Sequence, residues 1–90
     1  VLRASYPNPF RSTTVIRYDL SAAATVHLRV YDVSGSRIRS LVAGEQVPAG
    51  SHDVMWDGRD DQGRSVSPGV YFYRLVTSEG SLSIRLTVLR

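Results

Sequence analysis

The chain has 90 residues, which is enough for one domain and too few for two independent hydrophobic cores. It contains no cysteine, which excludes a disulfide framework, a thiolate metal site and a cysteine nucleophile. The formal net charge is +3 and every basic residue is arginine, but no basic run or aromatic base-stacking platform accompanies this charge, so we expect no nucleic-acid partner.

The chain also lacks the signals of a membrane segment. No apolar run approaches the roughly 20 residues that a spanning helix needs, and no charged-then-apolar leader opens the sequence. We therefore expect no membrane insertion. If the domain is exported, its leader was removed or lies upstream in a parent polypeptide.

Apolar and polar residues alternate with a period of two, and no window of a dozen residues shows a helical stripe. Residues 6–10 predict a short edge strand, because Pro7 and Pro9 cannot donate to a ladder. Six clearer strands follow, at residues 14–20, 25–33, 38–42, 51–56, 70–77 and 82–89. Seven short antiparallel strands favour a two-sheet β-sandwich, and a small barrel stays open as the alternative.

The segments between these strands carry turn residues. Gly35 predicts a hairpin turn with positive φ between the second and third strands. Two glycines and Pro48 predict a loop over residues 43–50, and the most loop-like stretch is residues 57–64.

Several short motifs occur in an order that resembles a known family. They are Asn-Pro-Phe at 8–10, Thr-Val-Ile-Arg-Tyr at 14–18, Leu-Arg-Val-Tyr-Asp-Val-Ser-Gly at 28–35, Pro-Ala-Gly at 48–50, Trp-Asp-Gly-Arg-Asp at 56–60 and Pro-Gly-Val-Tyr-Phe-Tyr-Arg-Leu at 68–75. Together they resemble the type A C-terminal sorting domain of the type IX secretion system, which is similar to the immunoglobulin-like domain of the flagellar hook-capping protein. The resemblance covers residues 6–90 and implies a seven-stranded immunoglobulin-like β-sandwich. Residues 1–5 are expected to be a linker from an upstream parent protein.

This resemblance implies a non-catalytic module. Such a domain is recognised by an outer-membrane translocation machinery and removed by a sortase-like protease, so that the upstream cargo domain reaches the cell surface or the medium through the periplasm. An immunoglobulin-like structural, spacer or assembly module is the alternative, and an ancillary carbohydrate-binding module comes third.

Five residues are predicted to contribute to partner recognition: Gly69, Tyr71, Gly80, Arg85 and Arg90. Pro68-Gly69-Val70-Tyr71 stands where the family has Pro-x-Gly-x-Tyr, although proline and glycine are adjacent here. Gly80 followed by Arg85 resembles the family's glycine with a downstream lysine, and Arg90 stands where a basic residue often closes the pattern. We expect the glycines to set turn geometry, Tyr71 to anchor the fifth strand in the core and the arginines to offer charged contacts.

The terminal segment, residues 81–90, is expected to lie at a sheet edge, where a partner can add a strand.

Three other groups of residues have a chemical and a structural interpretation. Asp57, Asp60 and Asp61 could bind calcium, but the spacing lacks the closing glutamate of an EF-hand, and we favour aspartates that brace turns.

His27 and His52 do not occur in a catalytic motif, so no catalytic residue, metal or cofactor is expected. Trp56, Tyr71 and Tyr73 could stack on sugars, but a small sandwich needs such rings to fill its interior.

Overall fold

The computed structural model describes residues 1–89, which form an all-β domain. Its six strands are β1 (Thr14–Leu20), β2 (Ala24–Asp32), β3 (Arg37–Val47), β4 (Gly50–Trp56), β5 (Gly69–Thr77) and β6 (Gly80–Val88). Strands β1 and β4 form one antiparallel sheet, and the other has the order β3-β2-β5-β6, also antiparallel. The predicted antiparallel sandwich is therefore confirmed, with six strands instead of seven. No helix in residues 1–89 has the length and apolar character of a membrane span.

The core lies between the two sheets, because alternate residues of each strand point to the same side. The fully buried large side chains come from both sheets and from one residue before β1; they include Trp56, Tyr18, Tyr73, Phe10, Ile16, Leu28 and Leu86. These are largely the inward positions that the period-two pattern predicts.

The predicted seventh strand at residues 6–10 does not form. Instead, Tyr6 makes an isolated antiparallel bridge with Val15 of β1, and Phe10 makes an isolated parallel bridge with Val88 of β6. Pro7 and Pro9 have no N–H to donate, so a continuous ladder cannot build through this segment. The segment thus leaves one sheet and joins the other.

Residues 1–5, which the sequence predicted to be a linker, pack against β1 in the structure. The Arg3 N–H donates to the Arg17 carbonyl at 2.9 Å, and the Tyr73 hydroxyl donates to the Arg3 carbonyl at 2.7 Å. The side chain of Leu2 is buried in the core. Apolar burial and backbone pairing therefore hold these residues on the domain.

Strand β3 is longer than predicted, because it continues to Val47 through the residues expected to form a loop. The register shifts between Val26 and His27, and Gly44 lies in the shifted segment with a φ of +71°. A glycine bulge of this kind allows a strand to stay paired on both sides of a residue whose type is typical of turns. Gly35 has a φ of +87°, which confirms the predicted hairpin turn.

Candidate functional site: the β5–β6 hairpin

Four of the five predicted recognition residues lie on one hairpin. Gly69 and Tyr71 open β5, while Gly80 opens β6 and Arg85 lies in its middle. Arg90 lies outside the described residues. The two strands pair along their whole length, from Gly69 opposite Val88 to Thr77 opposite Gly80.

The two glycines of the hairpin have backbones that other residues rarely adopt. The φ angle is +146° at Gly69 and +126° at Gly80. An added Cβ at either position would meet no atom within 4 Å. The requirement for glycine is therefore conformational and not steric crowding.

Tyr71 fixes the start of β5 to the loop before it. Its side chain is 7% exposed, and its hydroxyl donates to the Ser67 carbonyl at 2.6 Å. The ring packs against the Trp56 indole in a T-shaped arrangement with a centroid distance of 5.9 Å. The indole N–H donates in turn to the Arg59 carbonyl at 2.9 Å. A tyrosine whose hydroxyl bonds to backbone a few residues upstream is the tyrosine corner of immunoglobulin-like sandwiches.

The outer edge of β6 is covered near its C-terminal end by the start of the chain. Asn8 uses both ends of its amide: Nδ2 donates to the Arg85 carbonyl at 3.3 Å, and Oδ1 accepts from the Thr87 N–H at 3.0 Å. Phe10 N–H donates to the Thr87 carbonyl and the Phe10 carbonyl accepts from the Leu89 N–H. The Arg85 carbonyl, both backbone groups of Thr87 and the Leu89 N–H therefore face outward and are paired.

The other half of the same edge is open. Because neighbouring residues of a strand direct their backbone groups to opposite sides, Ser81 and Ser83 face outward like Arg85. Neither makes an outward backbone hydrogen bond within residues 1–89. Leu82 between them is 52% exposed, and a cleft of about 670 Å³ opens beside it, lined partly by Leu20 and Leu75. An edge with unpaired backbone groups next to a partly apolar cleft is a setting in which a partner can add a strand.

Arg85 lies on the solvent side of the four-stranded sheet, opposite Phe72 of β5. The ion pairs formed within residues 1–89 join other arginines to aspartates. The Arg85 guanidinium is exposed and has no acidic partner in this part of the chain, so it is available for an external contact.

The aspartates of the 57–64 loop brace backbone, as predicted. Asp57 Oδ1 accepts from the Arg59 N–H and from Arg39, and Asp61 Oδ1 accepts from the Ser40 N–H. Backbone N–H groups of Arg64 and Gln62 bind the Asp60 carboxylate, and the first of these is the main reason why the pKa of Asp60 lies below its usual value. Each of the three carboxylates is therefore bonded to backbone of the loop itself or of β3.

The two histidines make local contacts that do not assemble a catalytic triad. His52 Nε2 lies 2.7 Å from the Pro48 carbonyl oxygen, and His27 Nδ1 lies 2.9 Å from a guanidinium nitrogen of Arg29. The neighbouring carboxylate of Asp53 is held by Arg17, at 2.7 and 3.1 Å. The Arg17 hydrogen bond lowers the pKa of Asp53.

Comparison with known proteins identifies the family. The family described as the FlgD Ig-like domain matches residues 10–81, which is most of the chain. The chain belongs to this family. No curated protein matches it.

Solved structures share the fold of this FlgD Ig-like domain. The FlgD structure from P. aeruginosa superimposes with a TM-score of 0.64 at 28% identity, covering 89% of this chain and 67% of that chain. PorZ of Porphyromonas gingivalis, described as an essential bacterial surface component of the type-IX secretion system, gives 0.65 at 25% identity over 97% of this chain. Dimeric latent PorU from the same organism gives 0.77 at 21% identity over 98%. The chain spans only 11% of PorZ and 9% of PorU.

The role of Asn8 is the main feature of this site that the sequence analysis missed. The Asn-Pro-Phe motif was part of the family resemblance, but only the structure places Asn8 on the β6 edge. The sequence did contain a signal for this role. The Asn8 amide can both donate and accept a hydrogen bond, and Pro9 after it has no N–H, so this segment can cap the backbone groups of a strand edge without adding a strand to the sheet.

Proposed function

We propose that this FlgD Ig-like domain is a non-catalytic C-terminal sorting module, recognised by an outer-membrane translocation machinery through its β5–β6 hairpin. An upstream cargo domain in the same polypeptide is then carried through the periplasm to the cell surface or the medium. A sortase-like protease removes the module after transport.

The observation that carries the proposal is the similarity to PorZ. Nearly the whole domain superimposes on about a tenth of that chain, so the fold serves there as one module of a larger protein. PorZ is itself described as a component of the type-IX secretion system. The motif order of this chain, which resembles the sorting domain of that system, agrees with the same assignment.

The geometry of the hairpin suits recognition by strand addition. Ser81 and Ser83 present unpaired backbone groups at the edge of β6, and Arg85 adds an exposed charge on the neighbouring face. A receptor strand that pairs with this edge gains main-chain hydrogen bonds at once, while the adjoining cleft accepts its apolar side chains.

The test is a secreted reporter fused upstream of the domain and expressed in a host that has the type IX machinery. We expect the reporter on the surface or in the medium, and in the periplasm of a matched host without the translocon. A reporter that stays in the periplasm of the competent host contradicts the proposal.

Ser83→Pro tests the hairpin edge. It removes an N–H that faces outward, so the β5–β6 ladder is kept while strand addition is blocked. Met55→Pro is the matched control. Met55 is exposed on β4, and the even-numbered residues of β4 are the ones whose backbone groups hydrogen-bond to β1, so the Met55 N–H also faces outward. Urea unfolding of the two purified variants first shows that both fold. We then expect the reporter to stay in the periplasm with Ser83→Pro and to be exported with Met55→Pro. Equal export of the two variants contradicts recognition through this edge.

A structural or assembly module is the second candidate function. The match to the FlgD family and to the FlgD structure favours it. The same fusion separates the two, because a module of this kind does not move its reporter across the outer membrane.

The geometry does not favour sugar binding by the aromatic rings considered above. Trp56 is 0% exposed, and Tyr71 and Tyr73 are buried beside it in the core. Their ring faces are therefore covered by protein.

A further inference from the structure

The outer face of the four-stranded sheet carries an arrangement of side chains that shares only Ser83 and Arg85 with the proposed recognition edge. Strand register aligns these residues in two adjacent rows that run across β3, β2, β5 and β6. The rows are Arg37, Tyr31, Phe72, Arg85 and Ser40, Arg29, Arg74, Ser83. Four of these eight residues are arginines, and none is acidic.

Counter-charges are distributed unevenly over the domain. Arg3, Arg17, Arg39 and Arg64 each pair with an aspartate elsewhere. On the outer face, only Arg37 has such a pair within residues 1–89, and its contact with Asp61 is long, at 3.7 Å. Arg29, Arg74 and Arg85 have no carboxylate within ion-pair distance in the described chain.

Arg29 and Arg74 stand directly opposite each other on β2 and β5. Like charges at directly opposed positions destabilise a sheet. Arg29 also has a buried Nε without a hydrogen-bond partner in residues 1–89. That atom is buried, but the repulsion between the two guanidinium groups is not offset by a carboxylate in the described chain, and an anion bound at the exposed Arg74 would reduce it.

Apolar side chains accompany the arginines. Phe72 is 36% exposed between Tyr31 and Arg85, and Val70 and Val33 are exposed nearby. The Arg74 guanidinium lies 6.0 Å from the centre of the Tyr31 ring. Arginine and aromatic residues with few acidic groups are the composition of protein–protein contact surfaces, and such residues dominate their binding energy.

We propose that this face, formed by Arg29, Arg74, Arg85 and Phe72, binds a carboxylate-rich segment of a partner protein. Guanidinium groups bind carboxylates through two parallel hydrogen bonds, and Phe72 offers an apolar surface between them. Arg29 and Arg74 are direct neighbours on strands about 5 Å apart, and Arg85 lies diagonally from Arg74 in the adjacent row, at about 7–8 Å, so an extended acidic segment can engage several at once. The inference goes beyond the proposed function, because it concerns the sheet face and a binding partner, not export through the β6 edge.

The test uses short poly-L-glutamate as the probe, with binding followed by calorimetry and by NMR amide shifts of the full chain. We expect binding that weakens with salt and shifts concentrated on the outward residues of β2, β5 and β6. The triple variant Arg29→Gln/Arg74→Gln/Arg85→Gln should bind about tenfold more weakly or worse. The control Arg3→Gln/Arg17→Gln/Arg64→Gln removes the same charge from aspartate-paired positions and should bind nearly as the parent does.

Three results would overturn the inference. Equal weakening in both triple variants would mean that only net charge matters. Shifts centred on the β1–β4 sheet would place the site elsewhere. Tighter binding of heparin or of an oligonucleotide than of poly-L-glutamate would assign the face to another class of partner. Export of the Ser83→Pro fusion is a separate readout, because that variant keeps all three arginines, so this inference and the proposed function can fail independently.

Discussion

Replacing Tyr71 with phenylalanine should cost the domain about 1 kcal/mol, which is the net contribution of one hydrogen bond. The substitution removes the hydroxyl that donates to the Ser67 carbonyl at 2.6 Å and keeps the ring against Trp56. Ser67 is exposed, so water can reach its carbonyl and the larger penalty of a buried unsatisfied acceptor does not apply. Tyr71→Ala, which also empties the ring's place in the core, should cost about 3–5 kcal/mol.

Urea unfolding measures this difference directly. With a slope of about 1 kcal/mol per molar urea, Tyr71→Phe should lower the midpoint by about 1 M, and the melting temperature of a domain of this size by about 4–8 °C. Far-UV circular dichroism should follow the transition alongside the fluorescence of Trp56, the single tryptophan. Tyr31→Phe is the control, because the Tyr31 hydroxyl makes no hydrogen bond within residues 1–89, and its stability should change by less than about 0.5 kcal/mol.

Two results would refute this reasoning. A midpoint for Tyr71→Phe equal to that of the Tyr31→Phe control would mean that the corner hydrogen bond contributes nothing. A loss as large as that of Tyr71→Ala would mean that the hydroxyl, and not the packed ring, holds the start of β5.

Three further predictions concern the hairpin, the sheet face and acid unfolding. Gly80→Ala should cost about 1–3 kcal/mol in urea unfolding, because its φ of +126° strains any residue with a Cβ; an unchanged midpoint contradicts this. Arg74→Gln should stabilise the domain by about 0.2–1 kcal/mol by removing the repulsion from Arg29, and added salt should narrow the gap from the parent; a less stable variant opposes the argument. The urea midpoint of the domain should decrease when the pH is lowered below about 4, because the Arg17 hydrogen bond holds the folded pKa of Asp53 below its ordinary value of 3.8. The stabilisation from such a group is complete above the unfolded pKa and is lost as the pH falls through the folded one, so a flat profile from pH 6 to 3 would be evidence against it.

Much of the fold could be predicted from the sequence because half-buried strands show their two faces directly. Ile16 and Tyr18 in β1, and Tyr73 in β5, are buried where alternation places them. The limits of β3 were wrong for a physical reason: Gly44 reads as a turn residue, but a bulge lets the strand continue past it. Only cross-strand pairing, which is non-local, decides between these outcomes.

The candidate site likewise has features that the sequence predicts and features that depend on non-local strand pairing. Gly69, Tyr71, Gly80 and Arg85 could be named from the motifs and do lie on one hairpin. The opposition of Arg29 and Arg74 could not be predicted, because it depends on how two strands far apart in sequence align. The same holds for the half-open β6 edge, which is defined by residues from the start of the chain.

That meeting of the chain's first and last segments has a consequence for when the domain can fold. Asn8 bonds to Arg85 and Thr87, which follow it by 77 and 79 positions in the sequence. Contacts of such long sequence separation form late and slowly. The half of the β6 edge that Asn8 and Phe10 cover should therefore close late in folding, after the last strand has paired with β5.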